Sequence, residues 1–206
     1  MAYSTKTETA IISKAIQKSI DYATYRDLVH QLALTNATTG PLQVESLIDY
    51  TQLNDKRMHR WDKTIKISDG TKVKLAKLSQ KITWLVITES WCGDASPSLP
   101  VMNAMAQLNA NIDLRIVLRD EHEDLMNLFL TNGSRSIPKL IMLEADNNSV
   151  LGEWGPRPSK ATAMANDYKD KHGELSAAFK QDLQVWYNKD RGQNIQDDLV
   201  KLLPLE

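Results

Sequence analysis

The residue best suited to covalent chemistry is Cys92, the only cysteine in the 206-residue chain. It follows an apolar run at 82–87 that is short enough to form one buried strand. Helix-start signals come next, since Asp94 and Ser96 are N-cap candidates and Pro97 suits a first helical turn. The sulfur is therefore expected at a helix N-terminus, where partial positive charge favours the thiolate. A thiolate in this position is the nucleophile that thiol–disulfide exchange requires.

The residues around the cysteine form three short motifs. Residues 91–95 read Trp-Cys-Gly-Asp-Ala, Pro100 follows the cysteine by eight residues, and Ser136-Ile137-Pro138 ends 46 residues after it. Together they resemble the thioredoxin superfamily, which has Trp-Cys-Gly-Pro-Cys, a helix-kinking proline and a cis-proline that faces the cysteine. Within that superfamily, the sequence resembles uncharacterised bacterial thioredoxin-like proteins with a Trp-Cys-Gly-Asp-Ala core.

This resemblance implies an α/β protein with a thioredoxin-like fold, in which helices flank a central mixed sheet. We assign the thioredoxin-like domain with its long C-terminal helix to residues 64–206, and a helical N-terminal extension to residues 1–63. The resemblance also implies site roles. Cys92 is the nucleophile, Ile137 and Pro138 shape a substrate groove, Gly93 and the following amides stabilise the thiolate, and Trp91 is partly exposed beside the sulfur.

Two positions depart from the thioredoxin pattern. Ala95 stands where the resolving cysteine is expected, and Val86 stands where thioredoxins have a buried aspartate, six residues before the cysteine. A redox function would therefore use one thiol, with a low-molecular-weight thiol or a protein thiol or disulfide as partner, and an external thiol would resolve the mixed disulfide. The alternative is a non-catalytic binding or chaperone-like module. The redox interpretation fails if the N-terminal helices bury Cys92.

Charged residues near the cysteine have opposed expected effects. Asp94 strengthens the thiolate site as a helix cap but opposes a second negative charge as an anion, so we expect a modestly activated thiol. Glu89 can assist only if its carboxylate folds back toward the sulfur. We predict that Arg119, Arg135 or Arg157 lies near Cys92, lowers its pKa and receives a substrate carboxylate. The alternative is that these three arginines are solvated loop charges or form local salt bridges.

Other classes of function have little support in the sequence. Twenty-five basic against 26 acidic residues give a net charge of −1, which does not favour nucleic acid or an anionic membrane as partner. The four histidines are scattered without metal-ligand spacing, and no glycine-rich phosphate loop is present, so no metal or cofactor is predicted. The N-terminus lacks the apolar core of a signal peptide, and no apolar window is long enough to span a membrane. We expect a cytoplasmic protein.

The hydrophobic pattern predicts the elements before the cysteine as follows. One helix covers 8–34, a break follows at 35–41, and a second helix covers 44–61. The end of the second helix is locally basic (Arg57, His59, Arg60, Lys63), either because cations are favoured at a helix C-terminus or because they bind a ligand. Residues 64–80 form either a hairpin or a short helix capped by Ser68, and we favour the helix.

After the cysteine, the pattern alternates between strands and helices. A strand at 112–118, a helix at 123–130, a strand after Pro138 and its hairpin partner at 149–154 are predicted. The last third is helical, with an apolar stripe of Leu175, Phe179, Leu183 and Trp186, a break at Gly192 and a final turn or two at 197–203.

Overall fold

The computed structural model describes residues 5–205, which fold around one four-stranded sheet. In chain order the strands are β1 (Ile82–Thr88), β2 (Ile112–Leu118), β3 (Lys139–Glu144) and β4 (Val150–Trp154). Their spatial order is β2-β1-β3-β4. The β1–β2 pair is parallel, whereas β3 is antiparallel to both β1 and β4. The predicted α/β architecture with a central mixed sheet flanked by helices is confirmed.

Strand β1 is one of the two inner strands of the sheet and has a partner on each side. Val86 pairs with Ile116 of β2 and with Leu140 of β3, and all seven residues of β1 are buried. A strand that is covered on both faces is expected to be apolar throughout rather than alternating. The apolar run at 82–87 therefore forms the predicted strand, which delivers the chain directly to Cys92.

The predicted single helix at 8–34 is wrong, because two helices, α1 (Thr5–Lys18) and α2 (Tyr22–Leu34), occupy this segment. Between them Ile20 exchanges backbone hydrogen bonds with Ile116 of β2, at 2.9 and 2.8 Å. Asp21 then caps α2 by accepting a hydrogen bond from the Thr24 amide at 2.8 Å. Pairing with the sheet and this local cap outweigh the continuity of the apolar pattern. Residues 1–4 of the predicted extension lie outside the described residues.

Two further helices precede the sheet. The predicted helix at 44–61 is α3 (Glu45–Thr64), which buries Met58 and Trp61. Residues 64–80 contain the short helix α4 (Asp69–Leu75) rather than a hairpin, and the Ser68 side chain caps it. The helical alternative for this segment is therefore confirmed.

The crossovers on either side of β2 are helical, as the alternating pattern predicted. Helix α5 (Ala95–Ala106) contains Pro100 and runs from the cysteine toward β2. A short 3-10 helix (Arg119–Glu121) and helix α6 (Glu123–Leu128) follow β2.

The last third of the chain is helical, as predicted, but in place of one long C-terminal helix it has three: α7 (Ser159–His172), α8 (Ala177–Asp190) and α9 (Gln193–Leu202). Instead of a final turn or two at 197–203, α9 is a ten-residue helix that begins four residues earlier. Arg191, with a φ of 56°, is the left-handed C-cap of α8, and Gly192, with a φ of 77°, precedes α9 directly, so two residues of positive φ connect the helices.

No helix in the described part of the chain is both long and apolar enough to cross a membrane.

Candidate functional site

Cys92 lies in the loop between β1 and α5, at the place that the sequence predicted. The residue is 6% exposed, and its Sγ donates a hydrogen bond to the carbonyl oxygen of Ile137 at 3.2 Å. The Ile137–Pro138 peptide bond is cis. The fold therefore brings the cysteine motif and the proline motif together, although 45 residues separate the two hydrogen-bonded residues.

The surroundings of Cys92 disfavour its thiolate. Burial, followed by the nearby charge of Asp94, raises the pKa of the Cys92 thiol from 9.0 to about 12. The backbone amides of Ala95 and Asp94 and the charge of Arg157 act in the opposite direction but do not balance the burial. The expectation of a modestly activated thiol is therefore wrong, because the sequence showed the helix N-terminus but not the loss of solvent.

Asp94 has a different role from the helix cap that we predicted. Its side chain makes no capping hydrogen bond, and the carboxylate instead pairs with Arg157 at 2.8 Å and accepts a hydrogen bond from the Tyr187 hydroxyl at 3.1 Å. Burial raises the pKa of Asp94, whereas Arg157, the Tyr187 hydrogen bond and the charge of Arg57 lower it. The carboxyl group of Asp94 is thus half-buried, and its partners are one arginine and one tyrosine.

The structure separates the three arginines that were predicted near the cysteine. Arg157 is close enough for its charge to act on Cys92, but its guanidinium is engaged by Asp94. Arg119 lies over the ring of Trp91, with 4.8 Å between the guanidinium carbon and the ring centroid. It also pairs with Asp120 at 2.7 Å. Trp91 is half-buried, so the rim of the site consists of an aromatic ring covered by a paired cation.

Arg135 belongs to the exposed loop before Pro138. It pairs with Glu123 at 3.3 Å and donates to Asn127 at 2.9 Å. For this arginine the structure shows the local salt bridge that was the alternative to a place beside the sulfur.

Two helices that are distant in sequence hold the cysteine loop from outside. The Asn54 side chain of α3 donates to the Ser90 carbonyl at 2.9 Å, and the Gln184 side chain of α8 donates to the Gly93 carbonyl at 3.1 Å. With the Tyr187–Asp94 hydrogen bond, these contacts fix the loop between the N-terminal helices and the C-terminal third. Single polar residues within helices carry no recognisable motif, and sequence reasoning missed Asn54, Gln184 and Tyr187.

A buried cluster of hydroxyl groups reinforces the same loop. Ser90 Oγ lies 2.8 Å from the Thr51 hydroxyl and 3.2 Å from the Thr38 hydroxyl, and it accepts from the Thr39 amide at 3.0 Å. The Ser90 amide in turn donates to the Thr39 hydroxyl at 2.9 Å. This cluster connects the loop after α2 and the middle of α3 to the end of β1, and no sequence pattern predicted it.

Glu89 is fully buried at the end of β1. Its Oε1 accepts a hydrogen bond from the Asp120 amide at 2.9 Å, so the carboxylate is engaged at the start of the 3-10 helix. Within residues 5–205, Oε2 has no hydrogen-bond partner. Burial raises the pKa of Glu89 above 4.5. Because the folded state keeps this proton after the unfolded chain has lost it, the free energy of unfolding falls as the pH rises from 4.5 through the raised pKa.

No group of three or more histidine, cysteine or acidic side chains within the described residues is arranged to hold a metal ion.

The comparisons with known proteins agree with this architecture. The family model described as Thioredoxin matches residues 40–169, which is more than half of the chain. The chain therefore belongs to the thioredoxin family. No curated protein matches its sequence.

Two solved structures show the same fold. The 1.5 Å crystal structure of the protein of unknown function PA1234 from Pseudomonas aeruginosa has a TM-score of 0.66 at 16% identity, and the alignment covers 92% of this chain and 95% of that one. The crystal structure of an HIV epitope scaffold has a TM-score of 0.62 at 15% identity, with the same two coverages. At these identities the likeness concerns the fold alone.

Proposed function

We propose that this chain is a thioredoxin-fold binding module and that Cys92 is a structural thiol. The observation that carries the proposal is the state of the sulfur, which is buried, donates to the Ile137 carbonyl and has a pKa raised to about 12. Relative to a thiol of pKa 9.0, the thiolate population at neutral pH is lower by roughly a thousandfold. Exchange with a disulfide requires that thiolate, so the described conformation does not favour catalysis.

The surface assigned to binding is the rim of the cysteine site. Its accessible part is the half-buried Trp91 with Arg119 across its ring. Ile137 and Pro138, which the family resemblance implies as part of a substrate groove, are buried beside the sulfur. The contacts from Asn54 and Gln184 support this role because they hold the cysteine loop in one conformation. A preorganised surface loses less conformational entropy when a partner binds.

The second candidate is a monothiol redox protein, and the hydrogen-bonding environment of the sulfur favours it. The amides of Asp94 and Ala95 and the charge of Arg157 all lower the pKa of Cys92, as a thiolate site requires. In this cycle the Cys92 thiolate attacks a disulfide, forms a mixed disulfide and releases one thiolate. An external low-molecular-weight thiolate then attacks the mixed disulfide, forms a new disulfide with the bound partner and regenerates Cys92. The cycle requires the loop to open.

The experiment that separates the two candidates is the pH dependence of Cys92 alkylation by iodoacetamide, followed by intact mass, with Cys92→Ser as the blank. A structural thiol is expected to label slowly, with a rate that still rises at about pH 10, because its pKa is raised. A rate that reaches its plateau clearly below the free-thiol pKa of about 8.5 would instead show an accessible thiolate and would favour the redox candidate.

Two narrower assignments are also proposals. The Trp-Cys-Gly-Asp-Ala sequence at 91–95 supports a place among the bacterial members of the family that have this core. The cytoplasmic location stays a prediction from the sequence.

A further inference from the structure

A second site lies outside the cysteine region, where the end of α3 meets the junction between α8 and α9. A cavity of about 630 Å³ opens there, and its lining includes Arg60, Trp61, Lys66, Asp190 and Arg191. This volume falls within the range of about 300–1,000 Å³ that is usual for small-molecule sites. No residue of the cysteine site lines the cavity, so its function is independent of the one proposed above.

The cavity carries an excess of positive charge. Three cationic side chains line it against the single carboxylate of Asp190, which already accepts a hydrogen bond from the Asn194 amide at 2.9 Å. Within the described residues, neither Lys66 nor Arg191 forms an ion pair, and Arg60 donates only to Asn188. Unpaired cations around one concave surface favour an anionic ligand.

Two apolar side chains, Trp61 and Ile67, also line the cavity. Trp61 is 5% exposed, and Ile67 is half-buried. An aromatic side chain in a cavity that also holds three cations suits a ligand with an apolar part as well as an anionic group, because small-molecule sites combine apolar walls with a few polar anchors.

The junction between α8 and α9 places Arg191 at this cavity. Arg191 and Gly192 both have positive φ, at 56° and 77°. A Cβ on Gly192 would lie 2.7 Å from Val101 Cγ2 and 3.2 Å from Ile65 Cδ1, so the backbone of the junction is packed directly against the core. The packing of Gly192 thus fixes the backbone position of Arg191, and no ion pair of the Arg191 guanidinium contributes to it within the described residues.

We propose that this cavity binds a small organic anion, in which an oxyanion group pairs with Arg191 and Lys66 and an apolar body lies against Trp61. Phosphate and carboxylate share the oxyanion chemistry that guanidinium and ammonium groups bind. The locally basic end of α3, which the sequence left open between a helix-dipole effect and a ligand role, supplies Arg60 to this site.

The test is an NMR titration of the full chain with phenyl phosphate, which combines both parts of the proposed ligand. Inorganic phosphate and benzyl alcohol, titrated separately, supply the oxyanion alone and the apolar body alone. We expect saturable shifts of the amides of residues 191–193 and of the Trp61 indole, with a dissociation constant below about 1 mM. Each partial probe is expected to bind these residues at least about tenfold more weakly, since it keeps only part of the contacts.

Variants that remove one charge test the assignment of the cations. Arg191→Gln and Lys66→Gln are each expected to weaken phenyl phosphate about tenfold, which corresponds to the loss of one hydrogen bond to a charged group. Lys63→Gln is the matched control, because Lys63 is an exposed cation of α3 that does not line the cavity. Its affinity is expected to stay within about twofold of the parent.

Three outcomes overturn the proposal. The first is the absence of saturable shifts, and the second is shifts scattered over residues outside the cavity. The third is an equal loss of affinity in the Lys63→Gln control, which would show general attraction to charge. Circular dichroism melting of each variant distinguishes lost binding from lost folding. None of these outcomes depends on the reactivity of Cys92, so failure here leaves the proposed function untouched.

Discussion

The charge of Asp94 is predicted to suppress the reactivity of Cys92, and Asp94→Asn tests this directly. Asp94 is the second cause of the raised thiol pKa, after burial. The substitution removes the anion and also releases Arg157, whose charge already lowers the pKa of the thiol. Both consequences favour the thiolate, so the pKa of Cys92 is expected to fall.

The size of this effect follows from the usual influence of a neighbouring charge. A negative charge within about 4–6 Å of an acidic group raises the pKa of that group by about 1 or more. The pKa of about 12 should therefore fall to about 11 or lower, since burial remains the largest cause. At pH 9 the thiolate fraction would rise from about one in a thousand to about one in a hundred, and alkylation should be about tenfold faster.

The assay compares iodoacetamide labelling of the parent, Asp94→Asn and Arg157→Gln at several pH values from 8 to 10. Arg157→Gln is the informative counterpart because it breaks the same ion pair but removes the charge that favours the thiolate. Its labelling is expected to be slower than that of the parent. Urea denaturation of each protein shows how much each substitution destabilises the fold.

Faster labelling of both variants by a similar factor would contradict this prediction. That result would mean that opening of the loop, rather than the charge around the sulfur, limits the reaction. An unchanged rate in Asp94→Asn would equally contradict the electrostatic account.

Three further predictions concern stability and are measured by urea denaturation. Glu89→Gln should raise the free energy of unfolding by about 1–2 kcal/mol at pH 8 and by less at pH 4.5, because it removes a buried carboxylate whose pKa is raised; an equal change at both pH values would contradict this. Gly192→Ala should lower the free energy of unfolding by at least about 2 kcal/mol, because the new Cβ would lie 2.7 Å from Val101 Cγ2. Gly173→Ala, at a similar φ but with open space around the Cβ, should lower it by about 1 kcal/mol. Ser90→Ala should lower the free energy of unfolding by about 1–3 kcal/mol, because the Thr51 hydroxyl and the Thr39 amide lose a buried hydrogen-bond partner. A decrease below about 0.5 kcal/mol would contradict this, since it would mean that these groups find other partners.

Much of the sheet could be predicted from the sequence. The apolar run of β1, the parallel crossover to β2 and the hairpin of β3 and β4 all follow from local patterns, because period and turn residues determine them. Helices α1 and α2 could not be separated in this way. The backbone of Ile20 pairs with Ile116, and a contact between segments so far apart leaves no periodic signal in either.

The division of the chain at residues 63 and 64 stays a prediction. Hydrogen bonds cross this division, since Asn54 donates to the Ser90 carbonyl in the cysteine loop and Arg60 donates to Asn188 of α8. The family match begins at residue 40, within the predicted extension.

The sequence by itself identified the cysteine and proline motifs and placed the sulfur at the start of α5, because residue type and spacing are local properties. That Cys92 lies beside Ile137 and Pro138 was implied by the resemblance to the thioredoxin superfamily, and the structure shows this contact. Only the tertiary structure decided the state of the thiol. Its pKa depends first on lost solvent and then on charges, and α3 and α8, which lie on opposite sides of the cysteine in sequence, supply the polar contacts that hold its loop.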